Sequence, residues 1–230
     1  MTGADLSARL EAVESRIASA CAAAGRERDE VQLLPVSKTW SADQIAPVVA
    51  AGHHRLAENR VQEVVAKAPD LPEVSWVLIG PLQTNKVSKV VDLVTEFQAL
   101  DSPRLAEALD RRLQAAGRSL DVLVQVNTSG EASKSGLAPD EVESFCATLG
   151  QYASLRPRGL MTIATLGGGP SEAERCFGLL ADLRARLRDN GVGGSDWPEL
   201  SMGMSGDLEQ AIAHGATQVR VGRAIFGERG

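Results

Sequence analysis

The sequence predicts an α/β protein built as a single (β/α)8 TIM barrel with a leading N-terminal helix, one domain over residues 1–230. Three observations carry that prediction. Short apolar runs alternate with segments of helical periodicity along the whole chain, which implies parallel strands joined by helical crossovers. Eight strand candidates occur, the number a closed parallel barrel requires. One extra helix opens the chain and suits the slot left empty after the last strand. An open doubly wound sheet is the main rival reading.

Each element has its own signal. Leu6, Leu10, Val13, Ile17 and Ala20 recur at helical spacing over residues 4–24, and Gly25 stops that helix. VQLLPVSK (31–38) reads as a buried strand, SADQIAPVVAAG (41–52) as a helix, HHRLAEN (53–59) as a short strand and RVQEVVAKA (60–68) as a helix. VSWVLIG (74–80) is a strand, LQTNKVSKVVD (82–92) a helix and LVTEFQAL (93–100) a strand. The helix DSPRLAEALDRRLQAAG (101–117) has Ser102 at the N-cap, Pro103 at the first helical position and Gly117 at the end. LDVLVQVN (120–127) is a strand, and PDEVESFCATLG (139–150) places Val142, Phe145, Cys146 and Leu149 on one helical face. RPRGLMTIA (156–164) is a strand, followed by a helix from Ser171 with a capping box at Ser171 and Glu174. PELSMGM (198–204), SGDLEQAIAHG (205–215) and ATQVRVG (216–222) read as strand, helix and last strand.

Composition narrows the function classes. Hydrophobic residues make up 43% and charged residues 23%, ordinary values for a soluble globular chain. With three Trp, one Tyr and four Phe, the core has to be built from Leu, Val, Ile and Ala. A net charge of −6 without a Lys/Arg-rich run argues against nucleic acid and anionic membrane surfaces, but not against a small anionic ligand. Cys21, Cys146 and Cys176 form no CxxC, which suits a reducing compartment, and no signal peptide or membrane-spanning run is visible. A cytoplasmic location and a monomer are therefore expected. His53, His54 and His214 make no HExxH, so no metal site is expected, and the glycine-rich nucleotide loops are absent.

In a barrel the functional groups lie at the C-terminal ends of the strands. Lys38 ends the first strand, Glu58-Asn59 the second, Asn127 the fifth, Met161-Thr162 the sixth, Ser201, Met204 and Ser205 follow the seventh, and Arg220 and Gly222 end the eighth. Lys38 has two readings. It either carries its ammonium to water along an apolar stem, or it is a desolvated amine that forms a Schiff base with a carbonyl. Ser205 either caps a helix or joins that helix's free amides in holding phosphate. Gly222 permits close approach of a ligand to the backbone. Together these groups suit a phosphorylated aldehyde.

The segments VSKT (36–39), ENRVQE (58–63), WVLIGPLQTNK (76–86), VLVQVNTSGEASKSGL (122–137), GLMTIA (159–164) and LSMGMSGDLEQAIAHGATQVRVGRAIFG (200–227) resemble the pyridoxal phosphate homeostasis family (YggS/PROSC), in that family's order over nearly the whole chain. The resemblance implies a barrel like the N-terminal domain of alanine racemase. It implies that Lys38 forms a Schiff base with pyridoxal 5'-phosphate. Ser205 and the backbone of Gly222 and Arg223 would then hold its phosphate, Arg220 would face the pyridine nitrogen, Asn59 would lie near the cofactor ring, and Ser201 and Met204 would line the pocket. Lys134 matches a lysine in a loop near the cofactor mouth. Four positions depart from the family pattern: Ala57 and Val77 replace a glycine and a frequent histidine, Trp40 stands where a second lysine is common, and Arg223 where a small residue is common.

Three functions remain open on the sequence: a non-catalytic carrier that binds and delivers the cofactor to apo-enzymes, a weak racemase or other pyridoxal-phosphate enzyme, and a class I aldolase-like enzyme. Racemisation of the related kind uses a second base, a tyrosine from another domain and subunit. The one tyrosine here, Tyr152, is expected at the end of a helix. An arginine opposite the ring nitrogen also makes the ring a weaker electron sink. Both points favour the carrier.

Overall fold

The described structure, a computed structural model covering residues 3–227, begins with α1 (Gly3–Ala23), whose Leu6, Leu10, Val13 and Ile17 form one buried stripe. Residues 1–2 and 228–230, at the edges of the expected domain, lie outside the described residues. Eight strands follow: β1 (Gln32–Pro35), β2 (Arg55–Glu58), β3 (Ser75–Leu78), β4 (Val94–Leu100), β5 (Leu120–Gln125), β6 (Leu155–Met161), β7 (Glu199–Ser201) and β8 (Gln218–Val221). All pair in parallel, in the order β1-β8-β7-β6-β5-β4-β3-β2. A bridge between Val36 and Ala57 joins the two ends of that order, with the Ser37 N–H donating to Ala57 O at 3.0 Å. The expected barrel is therefore realised, closed at its last seam by residues just beyond β1.

The connecting helices are α2 (Ala42–Ala50), α3 (Val61–Lys67), α4 (Val87–Val90), α5 (Pro103–Ala115), α6 (Val142–Thr148), α7 (Gly169–Asp189) and α8 (Leu208–Ala213), and a short α9 (Arg223–Phe226) follows β8. α1 packs against α2, α8 and α9, which places it in the slot the sequence left open for it. Ser41 and Gln44 form a capping box at the start of α2. The box expected at Ser171 and Glu174 does not form. α7 begins two residues earlier, with Pro170 in its first turn, and the Thr165 hydroxyl donates to Glu172 Oε1 at 3.0 Å instead. α4 is a single turn after a 3-10 segment at Thr84–Lys86, because β4 follows so soon that a longer helix has no room.

Alternation along the strands separates two cores. Leu33, Leu56, Trp76 and Leu78 face the helices and join the large outer core, whereas Leu34, Val36, Ala57, Val77 and Ile79 form a separate cluster inside the barrel. That apolar cluster comes from the β1–β3 side. Along β4, β7 and β8 the interior is polar, with Glu96, Gln98, Ser201, Gln218 and Arg220 all buried.

Gly159 on β6 has no room for a side chain, since a Cβ there would sit 1.9 Å from Glu199 O on β7. Gly159→Ala should destabilise the protein by about 3 kcal/mol, read from denaturant unfolding. An unchanged midpoint would contradict the close β6–β7 approach.

Candidate functional site

Period-two geometry explains where Lys38 emerges. Residues 34 and 36 point into the barrel, so position 38 follows them to its C-terminal mouth, where Lys38 is half-buried. Trp40 N–H donates to Ser37 O at 3.1 Å, which makes residues 37–40 a tight turn. Thr39, its third residue, has φ 72°, a left-handed conformation that usually calls for glycine. The Trp40 ring stacks on Phe226 of α9 with centroids 6.0 Å apart, which anchors this turn to α9.

Asn59 emerges beside it on the same alternation as Ala57. Its carbonyl is packed so tightly on Gly80 that a Cβ at Gly80 would lie 2.1 Å away. Position 80 is thereby restricted to glycine and fixes the height of Asn59.

Arg220 is the centre of a polar column through the barrel. Its Nη1 donates to Ser201 Oγ at 2.7 Å and its Nη2 to Thr162 O at 2.6 Å. Ser201 Oγ donates to Gln98 Oε1 at 2.7 Å, and Gln98 Nε2 to Glu96 Oε1 at 2.5 Å. Glu96 is paired with Arg55 near the opposite end. Burial pushes the Arg220 guanidinium down to about 10, opposed by the charge of Asp207, so it remains a cation near neutrality. The column keeps this buried charge hydrogen-bonded.

Ser205 does not cap α8, which starts only at Leu208. Residues 204–207 form a turn in which the Met204 N–H donates to Asp207 Oδ1 at 2.6 Å. The Ser205 hydroxyl instead accepts from the Ala224 N–H of α9 at 3.3 Å, which draws the β7 and β8 loops together. Gly222 lies against the end of β1, where a Cβ would be 3.0 Å from Val36 O. Met204 is half-buried and the Arg223 side chain is exposed. Lys134 donates to Ala164 O at 3.0 Å and pairs with Glu131 at 2.5 Å, tying the loops after β5 and β6 together.

Behind the wall of the mouth, between β1, β2 and α3, lies a cluster of which the sequence reading named only Glu58. Lys67 Nζ donates to Glu58 Oε1 at 2.6 Å, to Ser37 O at 3.0 Å and to Glu63 Oε2 at 3.2 Å. The Ser37 hydroxyl donates to Glu58 Oε1 at 2.6 Å, and the Thr39 N–H donates to Glu63 Oε2 at 2.6 Å. Glu58 is fully buried, and its second oxygen has no hydrogen-bond partner. Burial raises its carboxyl to about 7, against the pull of Lys67 and Ser37. The available signals were polar residues two apart in strands (Glu96 and Gln98, Gln218 and Arg220) and a Glu63–Lys67 pair one helical turn apart.

Comparison with known proteins places this geometry. The family model described as "Alanine racemase, N-terminal domain" matches residues 8–230. A curated relative from Pseudomonas aeruginosa named pyridoxal phosphate homeostasis protein is 40% identical over 219 residues, covering 94% of this chain and 93% of that protein. The chain belongs to the alanine racemase N-terminal domain family and, within it, to the pyridoxal phosphate homeostasis proteins. Among solved structures, one described as an unknown protein from Bifidobacterium adolescentis aligns with a TM-score of 0.93 at 38% identity, covering 97% of this chain and 95% of its own. PipY of Synechococcus elongatus PCC7942, solved with PLP bound, aligns with a TM-score of 0.85 at 36% identity, covering 96% of this chain and 100% of its own.

Because the folded Glu58 carboxyl sits above its ordinary value of 4.5, the folded state holds that proton more tightly than the unfolded chain does. The stability it contributes is complete below the ordinary value and is lost as pH rises through about 7. Denaturant midpoints of the wild type should therefore fall between about pH 5 and about pH 8 more than those of Glu58→Gln. Parallel curves for the two proteins would contradict this assignment.

Proposed function

We propose that this protein binds pyridoxal 5'-phosphate at the C-terminal mouth of its barrel and holds and delivers that cofactor within the cell, without robust catalysis of its own. The observation that carries the reading is the convergence, around the β1–β8 seam, of an amine (Lys38), a hydroxyl held by the backbone of α9 (Ser205), bare backbone (Gly222) and a buried cation (Arg220). These residues fit the group. Gly222 has no side chain to cover its backbone, and a Cβ there would press on Val36 O at 3.0 Å, so a residue without one suits a phosphate-holding backbone at this position. When bound, the cofactor supplies an aldehyde that condenses with an amine and releases water, a reversible covalent hold. Lys38 would provide the amine; Ser205 with the backbone of Gly222 and Arg223 would hold the phosphate. Asn59, Ser201 and Met204 would line the pocket, and Arg220 would face the ring nitrogen.

The non-catalytic reading is supported by two features of the chain. Arg220 is a donor-only group, so a ring nitrogen beside it is an acceptor and stays unprotonated, which weakens the ring as an electron sink. Tyr152 lies in the helical layer, its hydroxyl 3.5 Å from Pro103 O, rather than on the rim as a second base. The names of the relatives, homeostasis proteins rather than enzymes, agree. Apo-enzymes that need the cofactor are the proposed recipients. Three free, buried cysteines support a reducing, cytoplasmic setting, and a single-domain monomer is proposed, with Leu166 and Val65 the exposed large apolar side chains among the described residues.

Purified wild type should show the absorption band of a protonated Schiff base, and Lys38→Ala should lose it; after borohydride reduction, mass spectrometry should find the adduct on Lys38. An adduct on another amine, or on none, would overturn the reading. Ser205→Ala should weaken cofactor binding about tenfold while keeping the band at saturation, as loss of one hydrogen bond to a charged group implies. An unchanged titration would remove Ser205 from the phosphate site.

A further inference from the structure

Lys38 occupies the second position of the Ser37–Trp40 turn, and both peptide groups that bound it are held from outside the turn. The carbonyl of the preceding peptide, Ser37 O, accepts from Lys67 Nζ at 3.0 Å. The N–H of the following peptide, Thr39 N, donates to Glu63 Oε2 at 2.6 Å. Glu63 and Lys67 stand one turn apart on α3 and touch each other at 3.2 Å. Glu58, at the end of β2, holds Lys67 from the other side and takes the Ser37 hydroxyl as well.

We propose that Glu63 and Lys67, with Glu58 behind them, are positioning residues that set the aim of Lys38 toward the cofactor; this rests on the function proposed above. The physical need is visible at Thr39. A β-branched residue at φ 72° is strained, and such a conformation persists only where its surroundings fix it. Left to itself the turn would relax, and the direction of Lys38 would change with it. Trp40 on Phe226 holds the far side of the turn, through a ring contact rather than through the peptide groups on either side of Lys38.

The clamp also explains why charged groups are buried here. Lys67 is 6% exposed and Glu58 is 0% exposed, a costly arrangement for stability alone. Glu63 is less buried; its desolvation, which would raise the carboxyl, is outweighed by the Thr39 N–H, Glu58 and Lys67, so it lies below its ordinary value. It therefore stays an acceptor for Thr39 across the neutral range.

The experiment measures the rate of Schiff-base formation by absorbance after mixing cofactor-free protein with pyridoxal phosphate, well below the melting temperature. Glu63→Ala is the main variant. Lys67→Met/Glu58→Gln, which removes the buried ion pair together, is the second, in case one substitution impairs folding. Both should form the Schiff base at least about tenfold more slowly, the scale expected when a reacting group is misaimed. Glu63→Gln, whose amide oxygen can still accept from Thr39, should recover most of the rate. In the cofactor-free Glu63→Ala protein the Thr39 amide should exchange its hydrogen faster than in the wild type. A residue that merely supports the fold would lower the melting temperature without these effects. Wild-type rates in both Glu63→Ala and the double variant, with the band still lost in Lys38→Ala, would overturn the clamp and leave the function standing. Persistence of the Schiff base in Lys38→Ala would overturn the function itself.

Discussion

Closure of the sheet between β1 and β2 is the constraint on which the site depends. Seven strand pairings follow one another round the barrel, and the eighth is made by the Val36–Ala57 bridge and the Ser37 N–H beyond it. Lys38 and Asn59 leave the sheet immediately after this bridge, one from each side. If the seam opened, both would move. The buried Glu58–Lys67 pair lies directly behind it and reaches across from β2 and α3 to Ser37, so buried charge reinforces a seam made by a single bridge.

A second constraint acts at the other side of the mouth. The loops after β7 and β8 approach through Ser205 and Ala224, and α9 returns an aromatic ring to Trp40 after β1. Three strand ends are thus tied to one another without any of them depending on a long helix. Inside the barrel, Arg220 stays charged because Ser201, Thr162 and the nearby Asp207 compensate its burial. The interior is consequently divided, apolar along β1–β3 and hydrogen-bonded along β4, β7 and β8. That division gives the β1 end, where Lys38 emerges, and the Arg220 guanidinium different surroundings.

Much of the fold was legible because strand and helix periods differ and glycine marks where they change. α1 and the α5 N-terminus at Ser102-Pro103 fell where the residues indicated. The misread boundaries share a cause. α7 starts at Gly169 because Pro170 and the Thr165–Glu172 contact set its first turn, and α8 starts late because Asp207 turns back onto Met204. In both cases a polar side chain found a partner outside the local pattern from which the cap was inferred. α9 is four residues long, too short for periodicity to reveal.

The sequence by itself determined the barrel, the face on which Lys38, Asn59, Ser201 and Arg220 point inward, and the resemblance that names a cofactor, since alternation of side chains and order of motifs are properties of the chain alone. Only the tertiary structure decided what holds those groups: Arg220 reaches Ser201 and Thr162, Ser205 reaches Ala224, and Glu63 and Lys67 reach the two peptides beside Lys38. The links of Glu63 and Lys67 to the turn cross the β1–β2 seam that closes the barrel, whereas Arg220–Ser201 and Ser205–Ala224 span the neighbouring β7 and β8. Hydrogen bonds depend on distances of a few ångströms that no spacing along the chain encodes.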